Sequence, residues 1–277
     1  MTYKLGLAQG FEVDPDGSLS DPANLISAWP LTELAGPRRD RAGCLDMRTS
    51  SDTRFLDTGT PNTAVSTGVK HASDKFVAQF EGDATGSVWP TPSTTNSDRM
   101  LACPLGDDFG SRTAMSFSIW VYVDSTMGAS NKQGAIATHY NYDMLDGWMI
   151  GQQEQSGNNK FVFSFVVSNS ADNLYSGTSL STSTWYHVVG TWDGTNRIIY
   201  LNGSSDATDT PTIWGACDTT SSFMFGRMPG GGSSFDFPWH GRACHSALWN
   251  KCLTAANVTT LYNSGTPNRY KPWITGR

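Results

Sequence analysis

Apolar and polar residues alternate with a period of two over many short stretches of this chain, the pattern of half-buried strands. In "MSFSIWVYV" (115–123) Phe117, Ile119, Val121 and Val123 share one face while Trp120 and Tyr122 take the other. Both faces of that strand are therefore expected to be covered. "KFVFSFVVS" (160–168) places Phe161, Phe163, Phe165 and Val167 on one face. "KFVAQFEG" (75–82) alternates Phe76, Ala78 and Phe80 with Lys75, Val77 and Gln79. "LISAWPL" (25–31), "GWMIGQ" (147–152), "TWYHVVGTW" (184–192), "RIIYLNG" (197–203), "SSFMFGR" (221–227) and "GRACHSALWN" (241–250) add further strands. The total is roughly a dozen, at the spacing of a β-sandwich. Asp193-Gly194 and Asn202-Gly203 mark tight turns, the latter a hairpin signal because both residues tolerate positive φ.

One helix interrupts this pattern, over 255–263. Thr254 is placed to cap it, and Leu253 and Val258 are spaced as a hydrophobic staple. Asn257 stands where a capping box usually has an acid, and Gly265 follows as a stop. Residues 1–24 hold two Asp-Pro steps among turn formers and are expected to be a peripheral N-terminal arm. The domain is expected over 25–265, with an aromatic and basic tail at 266–277 that packs back or reaches a neighbour.

Composition narrows the class. The chain has 277 residues, enough to bury a core without disulfides or metal. The net charge of −6 and the pI near 5.3 argue against a nucleic-acid surface. The only dense basic cluster, "GPRRDR" (36–41), reads as a solvated loop. No apolar run is long enough for a membrane span, and no secretory leader is visible at the N-terminus. The five cysteines (44, 103, 217, 244, 252) are an odd number without regular spacing. Reduced thiols in a chain made in the cytoplasm are the expectation.

The stretches "LISAWPLTELAG", "SFSIWVYV", "WYHVVGTWDG…RIIYLNG", "FMFGR…HGRACHSALWN" and "LTAANVTTLYNSG" resemble the laminin-G-like, concanavalin A-like jelly-roll domains. The resemblance runs from about Leu25 to Gly265. Trp185, His187, Trp192, Asp193-Gly194, Tyr200 and Asn202-Gly203 arrive in the family's order. It implies an all-β fold of two stacked antiparallel sheets with one short C-terminal helix. It also implies a mostly non-catalytic role in binding glycans or proteins, often with calcium. One departure stands out. Where the family's last strand carries two acids, this chain has Cys244 and His245, which puts a structural calcium there, and its partners Glu33 and Asp40, in doubt.

Candidate chemistry follows from these elements. Jelly-roll glycanases present paired carboxylates on one strand. This chain has four Glu (12, 33, 81, 154), none with a second acid two residues along a strand. His187, between Tyr186 and Val188 on a strand, reads as a satisfied core or subsurface histidine rather than a general base. In "HGRACHSALWNKC" (240–252) strand alternation puts His240, Arg242, Cys244 and Ser246 on one face and an exposed His245 on the other. His240 and Cys244 would then stand ~13 Å apart at a rise of ~3.3 Å per residue, too far to share a zinc ion. Cys244 is expected to be a small buried apolar residue.

"HYNYDMLDGW" (139–148) is expected to be a rim loop whose Asp143 and Asp146, with the Asn141 amide, suit calcium. Calcium is an optional cofactor on this reading, and none is required. Glycan recognition needs exposed aromatic faces beside hydrogen-bonding groups. Tyr140, Asn141, Tyr142 and Trp148 of that loop, with Phe237 and Trp239 of "GGGSSFDFPWHG" (230–241), are the candidates. The leading expectation is a non-catalytic recognition module for a glycan or cell-surface polysaccharide. The absent leader, set against a fold that usually works outside cells, suggests display on a virus particle of the tailed-phage type. Its partners there would be other virion proteins or further copies of itself. A bacterial adhesion or carbohydrate-binding module is the alternative, and a jelly-roll glycan hydrolase stands behind both.

Overall fold

The computed structural model describes residues 12–13, 19–20, 24–31, 48–49, 64–65, 77–81, 101–104, 113–127, 133–141, 146–214, 222–229 and 235–268. Among these the strands are β1 (Glu12–Val13), β2 (Leu19–Ser20), β3 (Leu25–Trp29), β4 (Arg48–Thr49), β5 (Ala64–Val65), β6 (Val77–Glu81) and β7 (Leu101–Pro104). There follow β8 (Met115–Val123), β9 (Gln133–Asn141), β10 (Asp146–Gln155), β11 (Asn158–Val167), β12 (Ser170–Tyr175) and β13 (Thr184–Trp192). The chain closes with β14 (Arg197–Leu201), β15 (Ser204–Asp209), β16 (Ser222–Phe225), β17 (Met228–Pro229), β18 (Phe235–Asp236), β19 (His240–Trp249) and the helix α1 (Ala255–Tyr262).

Two large antiparallel sheets stack as expected for a concanavalin A-like sandwich. One runs β12-β11-β10-β9-β16-β7-β4; the other runs β15-β14-β13-β8-β19-β6-β5. β3 and β6 pair with the same edge of β19 at its two ends, β6 with His240–Ala243 and β3 with Ser246–Trp249. The short pair β1–β2 lies within the segment expected to be an arm.

The core fills the space between the sheets. Phe117, Ile119, Val121 and Val123 of β8 face Phe161, Phe163 and Phe165 of β11 and Phe223 and Phe225 of β16. Trp29 stacks on Phe223 with ring centroids 5.3 Å apart. Each such side chain removed from water contributes about 1.5–3 kcal/mol, so this aromatic layer dominates the stability of the domain. Gly190 of β13 faces the same layer. A Cβ there would lie 2.8 Å from Ile150 Cδ1 and 2.9 Å from Phe163 Cδ1, so the β13 backbone can approach the opposite sheet only as glycine.

The outside of the second sheet is covered too. Leu253, Val258 and Leu261 pack on Ala28, Val189, Tyr200, Ala247 and Trp249. Thr254 caps α1 as expected, and Asn257 completes the capping box in place of an acid: its Oδ1 accepts the Thr254 N–H at 3.0 Å. Asn263 ends the helix in the left-handed region.

At one edge the sheets are tied by charge. Arg197 of β14 is fully buried, and its guanidinium lies 4.7 Å over the Phe165 ring. Its Nη2 contacts Asp172 of β12 at 2.7 Å and Asp209 of β15 at 2.6 Å, so one cation joins strands of both sheets. Burial pushes the Asp172 carboxyl up. The Thr212 backbone N–H and hydroxyl and the Arg197 guanidinium outweigh that, and the net shift is downward.

Four strands depart from the sequence reading. β9 crosses 133–141, where a rim loop was expected from 139 onward. Its run Gly-Ala-Ile-Ala-Thr is poor in large residues, and its pairing with β10 and β16 supplies what its own pattern lacks. β12 and β15 are largely polar edge strands. Finally, β19 does not alternate evenly. Ala243 faces the core and Cys244 the helix side, but beyond the bulge Ala247 faces the helix side and Leu248 the core. His245 sits in the bulge at φ 48° and is only 4 % exposed, so the exposed position expected for it is corrected. A bulge adds one residue to one strand and thereby resets which face each later side chain takes.

Candidate functional site

The aromatic residues expected to meet a glycan fall mostly inside the protein. Trp148 lies on β10 in the core, 2 % exposed, 5.7 Å from the Phe117 ring. Trp239 is 1 % exposed and donates its indole N–H to Gln152 Oε1 at 3.1 Å, closing one end of the sandwich against Phe80. Tyr140 is buried on β9 opposite Gly147. For these three the expected exposed platform is corrected. For Tyr140 and Trp148 the physical reason is that 139–141 and 146–148 are paired strands rather than a loop; for Trp239 it is the bond to Gln152 and the packing on Phe80, which draw its ring into the core. Asn141 ends β9; its side chain, with all of Tyr142 and Asp143, lies outside the described residues. Asp146 uses Oδ1 to accept the Ser168 N–H at 2.7 Å, pinning the turn between β11 and β12. Among the described residues, no group of three or more His, Cys, Asp or Glu side chains is gathered as a metal site.

Phe237 remains at the surface. It is half-buried at φ 52°, and its carbonyl accepts the Ala135 N–H at 2.8 Å. Its ring packs with Met228 and Tyr175 on Ala135, Met149 and Val162, which form the outer face of the β9–β12 part of the first sheet. The rows of that face follow from the register. Tyr175 stands opposite Val162, and Asn173 opposite Ser164. Gln153 stands opposite both Lys160 and Gln133. Asn173 Nδ2 donates to the Tyr175 phenol at 3.3 Å, and that phenol donates to Gln153 Oε1 at 3.3 Å. Asn173 Oδ1 is buried and has no hydrogen-bond partner among the described residues. An unsatisfied buried acceptor costs about 1–3 kcal/mol unless a ligand or water supplies the donor.

This strip therefore offers two half-buried aromatic rings, an apolar floor, and neutral amides with spare hydrogen-bonding capacity. Sequence reasoning missed Asn173, Tyr175 and Gln153. The available signal was the "DNLY" run, where Leu174 alone points to the core between two outward polar residues.

Acid–base and nucleophilic groups are placed differently. The Asp172–Asp209 carboxylate pair is engaged by Arg197. His187 is buried, with Nε2 2.8 Å from Ser118 Oγ, and stacks on Trp120 at 4.9 Å. The Cys252 thiol is pushed up by burial, which keeps it protonated at neutral pH. Cys244 packs on Trp120 as a small apolar residue. No helix among the described residues is long and apolar enough to cross a membrane.

Among the described residues, two stacked antiparallel sheets with one short α-helix packed on an outer face define a jelly-roll sandwich of the concanavalin A-like kind. The chain belongs to the concanavalin A-like lectin/glucanases superfamily, whose laminin-G-type model matches residues 95–259, more than half of its length. No curated protein matches the sequence. Among solved structures, it is similar to domain 4 of AbnA, an extracellular GH43 arabinanase of Geobacillus stearothermophilus in complex with arabinotriose. The TM-score is 0.56 at 15 % identity, covering 86 % of this chain and 98 % of that one. It is similar to a heptameric SAP-like pentraxin of Limulus polyphemus, with TM-score 0.50 at 15 % identity over 72 % of this chain and 88 % of the other. It is also similar to the receptor binding domain of botulinum neurotoxin D, with TM-score 0.52 at 13 % identity over 86 % and 52 %. At these identities the likeness is one of fold.

Proposed function

We propose that the protein is a non-catalytic carbohydrate-recognition module that binds a glycan on the strip of Asn173, Tyr175, Gln153 and Phe237. The observation that carries this reading is the pair of half-buried rings, Tyr175 and Phe237, on an apolar floor beside the row of Asn173, Tyr175 and Gln153 hydrogen bonds. The apolar face of a pyranose stacks on such rings while its hydroxyls bond to the neighbouring amides. A non-catalytic role is favoured by the engagement of the Asp172–Asp209 pair with a buried guanidinium, which leaves neither carboxyl as a general acid. The fold likeness to a domain solved with arabinotriose lends further support.

The test is a titration of the intact protein with a panel of neutral oligosaccharides, repeated with Asn173→Ala and Tyr175→Ala. Binding by the native chain and its loss in both variants is the expected result. Equal binding by all three would refute the assignment, and turnover of any panel member would refute the non-catalytic role. Display on a virus particle is the finer form of the proposal. Recovery of the chain in purified particles is its expected result, and particles lacking it would remove that setting.

A further inference from the structure

The opposite face of the sandwich carries a groove of about 660 Å³ between the β14–β15 turn and the C-terminal end of α1. Asn202, Ser204, Thr259, Asn263, Ser264 and Asn268 are among its lining residues, with the Tyr262 ring beside them. Every lining side chain is neutral, and all but glycine and the ring edge carry a hydroxyl or an amide. A phosphate or carboxylate ligand would meet no countercharge here, and a metal ion no carboxylate.

The walls are fixed in place. Gly203 lies against Tyr262, where a Cβ would come within 2.9 Å of the ring. Tyr262 in turn stacks on Trp120 at 5.7 Å and on His187 at 6.1 Å. Asn202 holds the His187 N–H through Oδ1 at 2.9 Å, which leaves its Nδ2 as a donor. Asn268 caps the helix end through Nδ2, with Thr260 O at 2.6 Å, which leaves its Oδ1 as an acceptor. Asn263 and Ser264 follow each other in the left-handed region at φ 44° and 52°, which ends α1 and turns the chain toward Asn268.

A rigid aromatic edge, a preset amide donor and acceptor, and the uncharged hydroxyls of Ser204 and Ser264 match the vicinal hydroxyls of a sugar, each both donor and acceptor. The volume lies within the range of small-ligand clefts, about 300–1,000 Å³. We infer that this groove is a second saccharide site for a short neutral glycan, so that the module is bivalent across its two faces. The inference shares the carbohydrate-recognition reading but rests on different residues.

Chemical-shift titration of the nitrogen-labelled intact chain reads the two sites separately. The probes are neutral trisaccharides of the gluco, galacto, manno and N-acetylglucosamine series. The side-chain amides of Asn202 and Asn268 report the groove; those of Asn173 and Gln153 report the outer strip. At least one probe is expected to move the groove amides, and Ser204→Trp, which fills the groove from an exposed strand position, is expected to weaken that response at least about tenfold. Asn202→Asp keeps the oxygen that holds His187 and loses the donor, and is expected to weaken it likewise; it decides the matter if Ser204→Trp melts early. Silence of the Asn202 and Asn268 amides across the panel, or undiminished affinity in both variants, overturns the inference. Movement of the groove amides with silence at Asn173 and Gln153 leaves it standing and overturns the strip instead.

Discussion

The outer faces of the two sheets are built from the same alternating strands but finished differently. On the β13–β8–β19 side the outward Ala28, Val189, Tyr200, Ala247 and Trp249 form an apolar patch, and α1 covers it with Leu253, Val258 and Leu261. On the β9–β12 side the outward residues mix Ala135, Met149 and Val162 with Tyr175 and the Asn173 and Gln153 amides, and among the described residues Met228 and Phe237 from the β17–β18 region pack on them. The first face is finished mainly by apolar packing under α1, with its polar groove confined to the helix end, while the second leaves an amide–aromatic strip along its strands. The difference teaches that one sandwich can finish its two faces with different chemistry, with Arg197 as a tie shared by both sheets.

The largest expected effect breaks that shared tie. Arg197→Ala leaves Asp172 and Asp209 facing a buried gap and is expected to cost about 3–5 kcal/mol, read from denaturant melts. The carboxyl of Asp172 titrates lower in the folded than in the unfolded chain. Its contribution is therefore complete above the unfolded value of about 3.9 and is lost as pH falls through the lower folded value. In acid melts the native protein should lose stability across that window and Arg197→Ala should lose less; parallel curves would show that the clamp does not act as described.

Next, Leu261→Ala opens a cavity under α1 and is expected to cost about 2–5 kcal/mol without changing glycan affinity at the strip. A matching loss of affinity would mean that the two faces are coupled. The converse variant, Tyr175→Ala, should weaken glycan binding by about tenfold or more while shifting stability by about 1 kcal/mol or less. A large fall in the melting temperature would make Tyr175 a structural residue first. The smallest effect is Thr254→Ala, which removes the helix cap at about 1 kcal/mol. Since α1 seals only one face, calorimetric binding at the strip should be unchanged.

Much of the fold was legible in the chain. β8 and β13 have the bounds their alternation announces, and the Thr254 cap and Leu253–Val258 staple fall as spaced. Asn202 and Gly203 adopt the positive φ that their hairpin signal requires. The site was less legible. A tryptophan beside a run of Asn and Asp reads locally as a loop aromatic, yet Trp148 is a core residue because β9 and β16 pair beside it. Asn173 reads as an ordinary polar edge residue. Its orphaned oxygen exists only because β11 and Tyr175 surround it.

By itself, the sequence determined the all-β class, most central strands, the capped terminal helix and the absence of paired glutamates, because period, capping and composition are local properties. Only the tertiary structure decided which aromatics are buried, that β19 changes face at His245, and that Arg197 joins both sheets. Each of those depends on partners distant in the chain, and a side chain's role follows from what surrounds it rather than from its neighbours in sequence. "HGRACHSALWNKC" carries ligand-type side chains, but a bulge and a tryptophan neighbour make Cys244 a packing residue, while the recognition strip proposed here assembles from β10, β11, β12 and Phe237.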